Sequence, residues 1–303
     1  MYKYWKIREI IAKFAAIFGY NRSIRRRIRD KIRFHDLIAD TGITDIPIQK
    51  YPHQIPIAFC FNGNGYKLAA VAIKSLILSA KKRCDYTIYC VIDRSVLAEH
   101  RRVLGQMIQG SSSQIVFITA NHDFDRANRR GWPVAIYYRM MLPKLLPDLD
   151  RIIYADIDTI FCQDLTELAQ LDMGTNLVAG VRDYANGYIN SGLLVMNLSR
   201  MRAENIYDKW LSAAHRKDYK NPDQDLLNYT TRGRILYLPL RFNFQSMLGA
   251  RLFKTHDARA FDDLRHRLVV MHYSNWMKPW YSPIKRPVFS DIWWNIARQT
   301  GLY

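Results

Sequence analysis

From Ile55 onward the chain alternates short apolar runs with longer stretches in which apolar residues recur every three or four positions. The first texture suits buried strands and the second suits helices, so the alternation restricts the fold to an α/β sheet covered by helices. "IPIAFCF" reads as a strand ending in the turn "NGNG", and "YKLAAVAIKSLILSAKK" as the helix that follows. "DYTIYCVI", the helix "SVLAEHRRVLGQMIQG" stopped by Gly110, the strand "SQIVFIT" and a helical stretch around "AIYYRMMLPKLLP" continue the pattern. Further on, "INSGLLVMNL" reads as another buried strand, and "PDQDLLNYT" as a helix opened by Pro222 and Asp223. No internal repeat or low-complexity linker interrupts the series. At 303 residues the chain is long enough for one large α/β domain, or for one domain with an appendage.

Within this series, "RIIYADIDTIF" (151–161) sets two acids into what reads as a buried strand. Side chains two apart on a strand share a face, which predicts Asp156 and Asp158 side by side at its carboxyl end. That is where open α/β sheets bind ligands. Like charges so close repel unless a cation lies between them or one of them binds a proton. Hard oxygen ligands suit Mg²⁺ or Mn²⁺, ions that usually bind through one or two carboxylates plus substrate phosphates. The bland alternative is a pair of acids in a surface turn, and the apolar flanks "IIY" and "TIF" speak against simple exposure.

The net charge is +18, and half of it sits in the first 35 residues, where eleven basic side chains face two acidic ones. Ile7, Ile10, Ile11, Phe14, Ile17 and Phe18 fill one side of a helical wheel there, and Ile24, Ile28 and Ile32 recur among arginines. Such an arm suits an anionic membrane surface; it also suits packing on the protein's own body. Contact with nucleic-acid phosphates is disfavoured because no recognition module follows. Lys13 interrupts the apolar patch and no cleavage signal succeeds it, so the sequence predicts no signal peptide and a cytoplasmic protein. No apolar run approaches the ~20 residues that cross a bilayer. Four cysteines without a CxxC pair read as small buried hydrophobes.

The ordered motifs resemble those of the family-8 glycosyltransferases. "YYRMMLPKLLPDLDRIIYADIDT" resembles the family's tyrosine–arginine helix leading into its D-x-D. "YINSGLLVMNL" resembles its N-[AS]-G strand, "DQDLLN" its D-Q-D helix start, "RFNF" a further block, and "HYSNWMKPW" its terminal H-Y-x-G-x-x-K-P-W. The resemblance runs from about Ile55 to Trp280. It implies a retaining, UDP-sugar-dependent enzyme of the GT-A fold: a single Rossmann-like mixed-sheet α/β domain at 53–282. Helical additions would flank it, a basic amphipathic extension at 1–52 and an aromatic and basic tail at 283–303.

Carried over residue by residue, the resemblance makes Asp156, Asp158 and His272 the ligands of Mn²⁺ (or Mg²⁺), with Asp156 also near the nucleotide ribose. A neutral imidazole in such a set favours Mn²⁺. Lys278 matches a lysine on the diphosphate, where a point positive charge is the expected partner. Arg139, Asp183, Asn190, Asp223 and Gln224 match the donor-sugar pocket, with Asp223, Gln224 and Arg139 as the catalytic candidates. Cys60, Asn62 and Asn64, at the end of the first strand, are the remaining candidates for the nucleotide. Two departures stand out: Asn62 replaces an aspartate that contacts uracil, and Asn275 replaces a glycine. The implied acceptor is a saccharide or glycolipid such as a lipopolysaccharide core. Two alternatives stand beside this reading: a non-catalytic basic binding protein on a degenerate transferase fold, and a nucleotide-sugar hydrolase.

Overall fold

The computed structural model describes residues 54–80, 84–127, 130–183, 187–246, 266–274, 278–281, 287 and 289–303. Among them the elements run β1 (Ile55–Phe61), α1 (Tyr66–Ala80), β2 (Tyr86–Ile92), α2 (Ala98–Met107), β3 (Gln114–Thr119), α3 (Tyr138–Leu145), β4 (Arg151–Ala155), β5 (Thr159–Phe161) and α4 (Thr166–Ala169). They continue with β6 (Val178–Arg182), β7 (Ile189–Asn197), α5 (Leu198–Ala203), α6 (Ile206–Arg216), α7 (Pro222–Thr230), β8 (Ile235–Leu238), β9 (Phe244–Gln245), β10 (Val270–His272) and α8 (Ser290–Gln299). The basic arm lies outside the described residues.

Seven strands form one sheet in the order β3-β2-β1-β4-β7-β6-β8. β1, β2, β3 and β4 run parallel, while β7 is antiparallel to both β4 and β6. Alternate residues of each central strand enter different cores, as the two-residue period requires. Ile57 and Phe59 of β1, Ile153 of β4 and Val195 of β7 join α1, α2 and α8 on one face. Ala58, Ile152, Tyr154, Leu194 and Met196 join α3, α5, α6 and α7 on the other. Burial on both faces is why these strands read as continuous apolar runs. Each Leu, Val or Met so covered contributes on the order of 2 kcal/mol.

A second, three-stranded sheet, β5-β10-β9, adjoins the first, with β10 antiparallel to β5 and parallel to β9. Here the structure corrects the sequence reading. "RIIYADIDTIF" is not one strand: β4 ends at Ala155, the acids occupy a turn, and β5 begins in the other sheet at Thr159. The turn is held by the Thr159 hydroxyl, which donates to the Asp156 carbonyl at 2.7 Å. Apolar flanks on both sides hide such a switch, because each flank is a buried strand in its own sheet.

The tail forms α8, whose Trp293 is buried against Trp280 and Tyr303, with ring centroids 5.0 Å away in both cases. Trp293 and Ala297 also belong to the main apolar core, so the tail packs on the body. None of the four cysteines forms a disulfide, and no helix among the described residues is long and apolar enough to cross a membrane.

Candidate active site

The antiparallel placement of β7 brings distant motifs together. β4 ends where β7 begins: Ala155 pairs with Leu193, and the Asp156 N–H donates to the Gly192 carbonyl at 2.8 Å. The "NSG" segment therefore lies directly beside the two acids, at the carboxyl end of the parallel strands. Helix α7 points its first turn at the same place. Pro222 suits that turn because it lacks the N–H a helix start leaves unused. The side chain of Asp225 accepts from the Asn221 N–H at 3.0 Å and fixes the entry.

Each acid of the turn has one oxygen tied back and one turned toward His272. The Oδ1 of Asp156 accepts from Arg139 Nη2 at 2.8 Å and from the Tyr154 hydroxyl, and its Oδ2 lies 3.8 Å from His272 Nε2. The Oδ2 of Asp158 is paired with Lys278, and its Oδ1 lies 3.2 Å from the same Nε2. That Oδ1 is buried and has no hydrogen-bond partner. A buried carboxylate oxygen left in this way is costly unless a cation takes it up. Burial by itself would raise the Asp158 carboxyl, but Lys278 and His272 hold it well below the usual carboxylate range.

Gly192 makes this approach of the imidazole feasible. A Cβ there would stand 2.1 Å from His272 Cε1, closer than any side chain tolerates. The glycine of the "NSG" motif is thus required by the histidine lying across it.

Arg139 anchors the other side of the site. It is 5% exposed, and its guanidinium donates to the Ser191 carbonyl at 2.7 Å and the Ile136 carbonyl at 3.1 Å. It pairs with Asp156 and with Asp223 Oδ2, the latter at 3.3 Å, and lies over the Tyr154 ring at 4.4 Å. Burial opposes its charge, but the carboxylates more than offset this and keep it positive. The carboxyl of Asp223 is pushed up by its own burial, an effect that Arg139 only partly reverses. The Ser191 hydroxyl donates to Asp223 at 3.0 Å.

Gln224, Asn190 and Asp183 form one buried amide cluster. Asn190 Nδ2 donates to Gln224 Oε1 at 3.1 Å, and Gln224 Nε2 donates to Asp183 Oδ2 at 3.3 Å. The structure therefore brings together Arg139, Asp156, Asp158, Asp183, Asn190, Asp223, Gln224, His272 and Lys278. Cys60 lies within electrostatic reach of Arg139 and Asp156, while Asn62 and Asn64 join none of the hydrogen bonds just described. Cys60 is buried at the end of β1, where desolvation raises its thiol strongly. Asn62 and Asn64 lie in the turn after β1, which reaches the acidic turn through Gly65, where an added Cβ would meet Ile157 Cδ1 at 2.7 Å. Asn275 lies outside the described residues.

Sequence reasoning passed over Tyr154, Ser191, Gly192 and Asn243 as individuals. All four lie inside the motifs given above, but nothing in one sequence separates a residue that faces the site from its neighbours.

The donor set fits a divalent cation. Asp156, Asp158 and His272 each offer an atom within 4.8 Å of the others. Adjacent ligands of an octahedral ion at about 2.1 Å lie about 3 Å apart, close to the spacings here.

The family model described as glycosyl transferase family 8 matches residues 56–283. The lipopolysaccharide 1,2-glucosyltransferase of Escherichia coli is 29% identical over 170 residues, covering 50% of this chain and 50% of that protein. The lipopolysaccharide 1,3-galactosyltransferase of Salmonella typhimurium is 24% identical over 176 residues, covering 50% of this chain and 51% of that one. The chain spans about half the length of each. Among solved structures, the galactosyltransferase LgtC in complex with donor and acceptor sugar analogues superposes with a TM-score of 0.69 at 24% identity, over 81% of this chain and 96% of that one. Fold, ordered motifs and family match converge: the chain belongs to glycosyl transferase family 8 and is a glycosyltransferase of the GT-A fold.

Proposed function

We propose that the chain is a metal-dependent, retaining hexosyltransferase that moves galactose or glucose from a UDP-sugar to a saccharide acceptor. The observation that carries this reading is the convergence of Asp156 Oδ2, Asp158 Oδ1 and His272 Nε2, with the Asp158 oxygen buried and lacking a hydrogen bond. A divalent cation bound by these three would neutralise the charge that grows on a departing diphosphate. Lys278, already beside Asp158, is the chain's own positive group for the same phosphates. Arg139 fixes Asp156 and Asp223 with one buried guanidinium.

Asp223 is engaged by both Arg139 and Ser191, which suits a carboxylate that stabilises positive charge on the sugar ring better than one that attacks it. Retention then follows from the acceptor hydroxyl attacking on the leaving-group side, and no covalent nucleophile is assigned. Gln224, Asn190 and Asp183 supply the fixed donors and acceptors that orient the sugar. Asn62 hydrogen-bonds the base in place of an acid.

The test is incubation of purified protein with labelled UDP-galactose or UDP-glucose, Mn²⁺ and a panel of saccharide acceptors. Transfer that stops on chelation and returns with Mn²⁺ is expected. Transfer unaffected by chelator, or release of sugar to water alone, would overturn the reading.

The similarity to lipopolysaccharide transferases and the +9 arm support a glycolipid acceptor at the inner face of the cytoplasmic membrane. Removal of residues 1–35 is expected to weaken binding to anionic vesicles while sparing transfer to a soluble acceptor. Unchanged vesicle binding would refute that part.

A further inference from the structure

We propose that Asn243 is a positioning residue that fixes which nitrogen of His272 carries the ring hydrogen, and so turns the other nitrogen's lone pair toward the metal. The inference rests on the metal reading of the site. It begins from backbone N–H groups, which can only donate. The Gly192 N–H donates to Asn190 Oδ1 at 3.0 Å, so that atom is the amide oxygen and Asn190 Nδ2 points the other way, to Gln224. The Ser191 N–H likewise donates to Gln224 Oε1 at 3.1 Å and fixes that amide.

With Asn190 Oδ1 established as an acceptor, Asn243 must present its NH₂ to it, and does so at 2.9 Å. The Oδ1 of Asn243 is then left facing His272 Nδ1 at 3.0 Å. An oxygen can only accept, so Nδ1 carries the hydrogen. In the neutral ring Nε2 is then bare, and it is Nε2 that lies 3.2 Å and 3.8 Å from the two carboxylates. Asn243 and His272 are both buried, at 0% and 3% exposed, which leaves water little access to replace the contact. Without Asn243, the hydrogen would move to Nε2, where Asp158 Oδ1 lies ready to accept it, and the ring would be turned from a ligand into a donor. Partners of this kind commonly alter metal affinity about 10- to 100-fold.

The test uses full-length protein with ¹⁵N-labelled histidine at alkaline pH, where neutral imidazoles predominate, with His272→Ala assigning the resonance. Metal-free wild type is expected to show the Nδ1–H form at His272. Asn243→Ala is expected to shift it to Nε2–H and to weaken Mn²⁺ binding, read by electron paramagnetic resonance, by at least about 10-fold. The ring tautomer is a readout that general loss of packing would not move, and the melting temperature of Asn243→Ala, measured alongside, separates positioning from such a loss. The inference is overturned by an Nε2–H ring in the wild type, or by an unchanged tautomer or unchanged Mn²⁺ affinity in Asn243→Ala. Wild-type protein that binds no Mn²⁺ would instead overturn the metal reading, and this inference with it.

Discussion

In the seven-stranded sheet, β7 keeps eight of its nine residues buried and feeds both apolar cores. The three-stranded sheet is only two or three residues deep, yet it carries His272 and lies next to Asn243. The larger sheet is held by area removed from water, whereas the polar residues of the smaller one are fixed by hydrogen bonds that converge on the site. Substitutions of apolar residues in the first should therefore act on stability, and substitutions of polar residues in or against the second should act on ligand binding and turnover.

The largest effect is expected from Leu194→Ala in β7. It should cost about 2–5 kcal/mol of stability in urea denaturation, while the protein that remains folded keeps its Mn²⁺ affinity. An unchanged midpoint would break the contrast. His272→Ala should lower transfer by at least about 100-fold, with a melting temperature close to wild type. A comparable drop in melting would mean that His272 is a packing residue of the small sheet.

Gly192→Ala tests the seam between the sheets, because its Cβ would collide with the imidazole. Weaker Mn²⁺ binding, by about 10-fold or more, is expected together with a stability cost of about 1–3 kcal/mol. A variant that binds Mn²⁺ normally would show that the ring has room to move.

The smallest effect concerns Asp158, in the turn joining the sheets. Its folded carboxyl titrates below the ordinary value, so its stabilisation is present above about pH 3.9 and fades as the pH falls further. In metal-free protein, the melting difference between wild type and Asp158→Asn should be widest near neutrality and narrow below about pH 4. A gap independent of pH would assign the difference to packing.

The same contrast explains how much could be read in advance. The strands of the large sheet announce themselves as apolar runs, and β1, β2, β3 and β7 fall where periodicity predicts them. The strands β9 and β10 span two and three residues, too short for any period to register, and the latter pairs with β5 across more than a hundred residues of chain. The acids of the turn were legible because charge inside an apolar run demands a cause. His272 was identified only through its motif. Asn243 is buried and polar, and its meaning depends on backbone N–H groups from β7 that no local pattern reveals.

The pairing of β4 with β7 also governs where this chain can gain or lose residues. Ala155 opposite Leu193 fixes the pleat, and a one-residue insertion between Ile189 and Leu193 would turn every following side chain to the other face. The glycine would leave its place under the imidazole, and the Ser191 carbonyl would turn away from the guanidinium. An insertion beyond Asn197 meets no such constraint. Diversification by added sequence is therefore channelled to the far end of this strand pair, while length at its near end is frozen by the chemistry beside it.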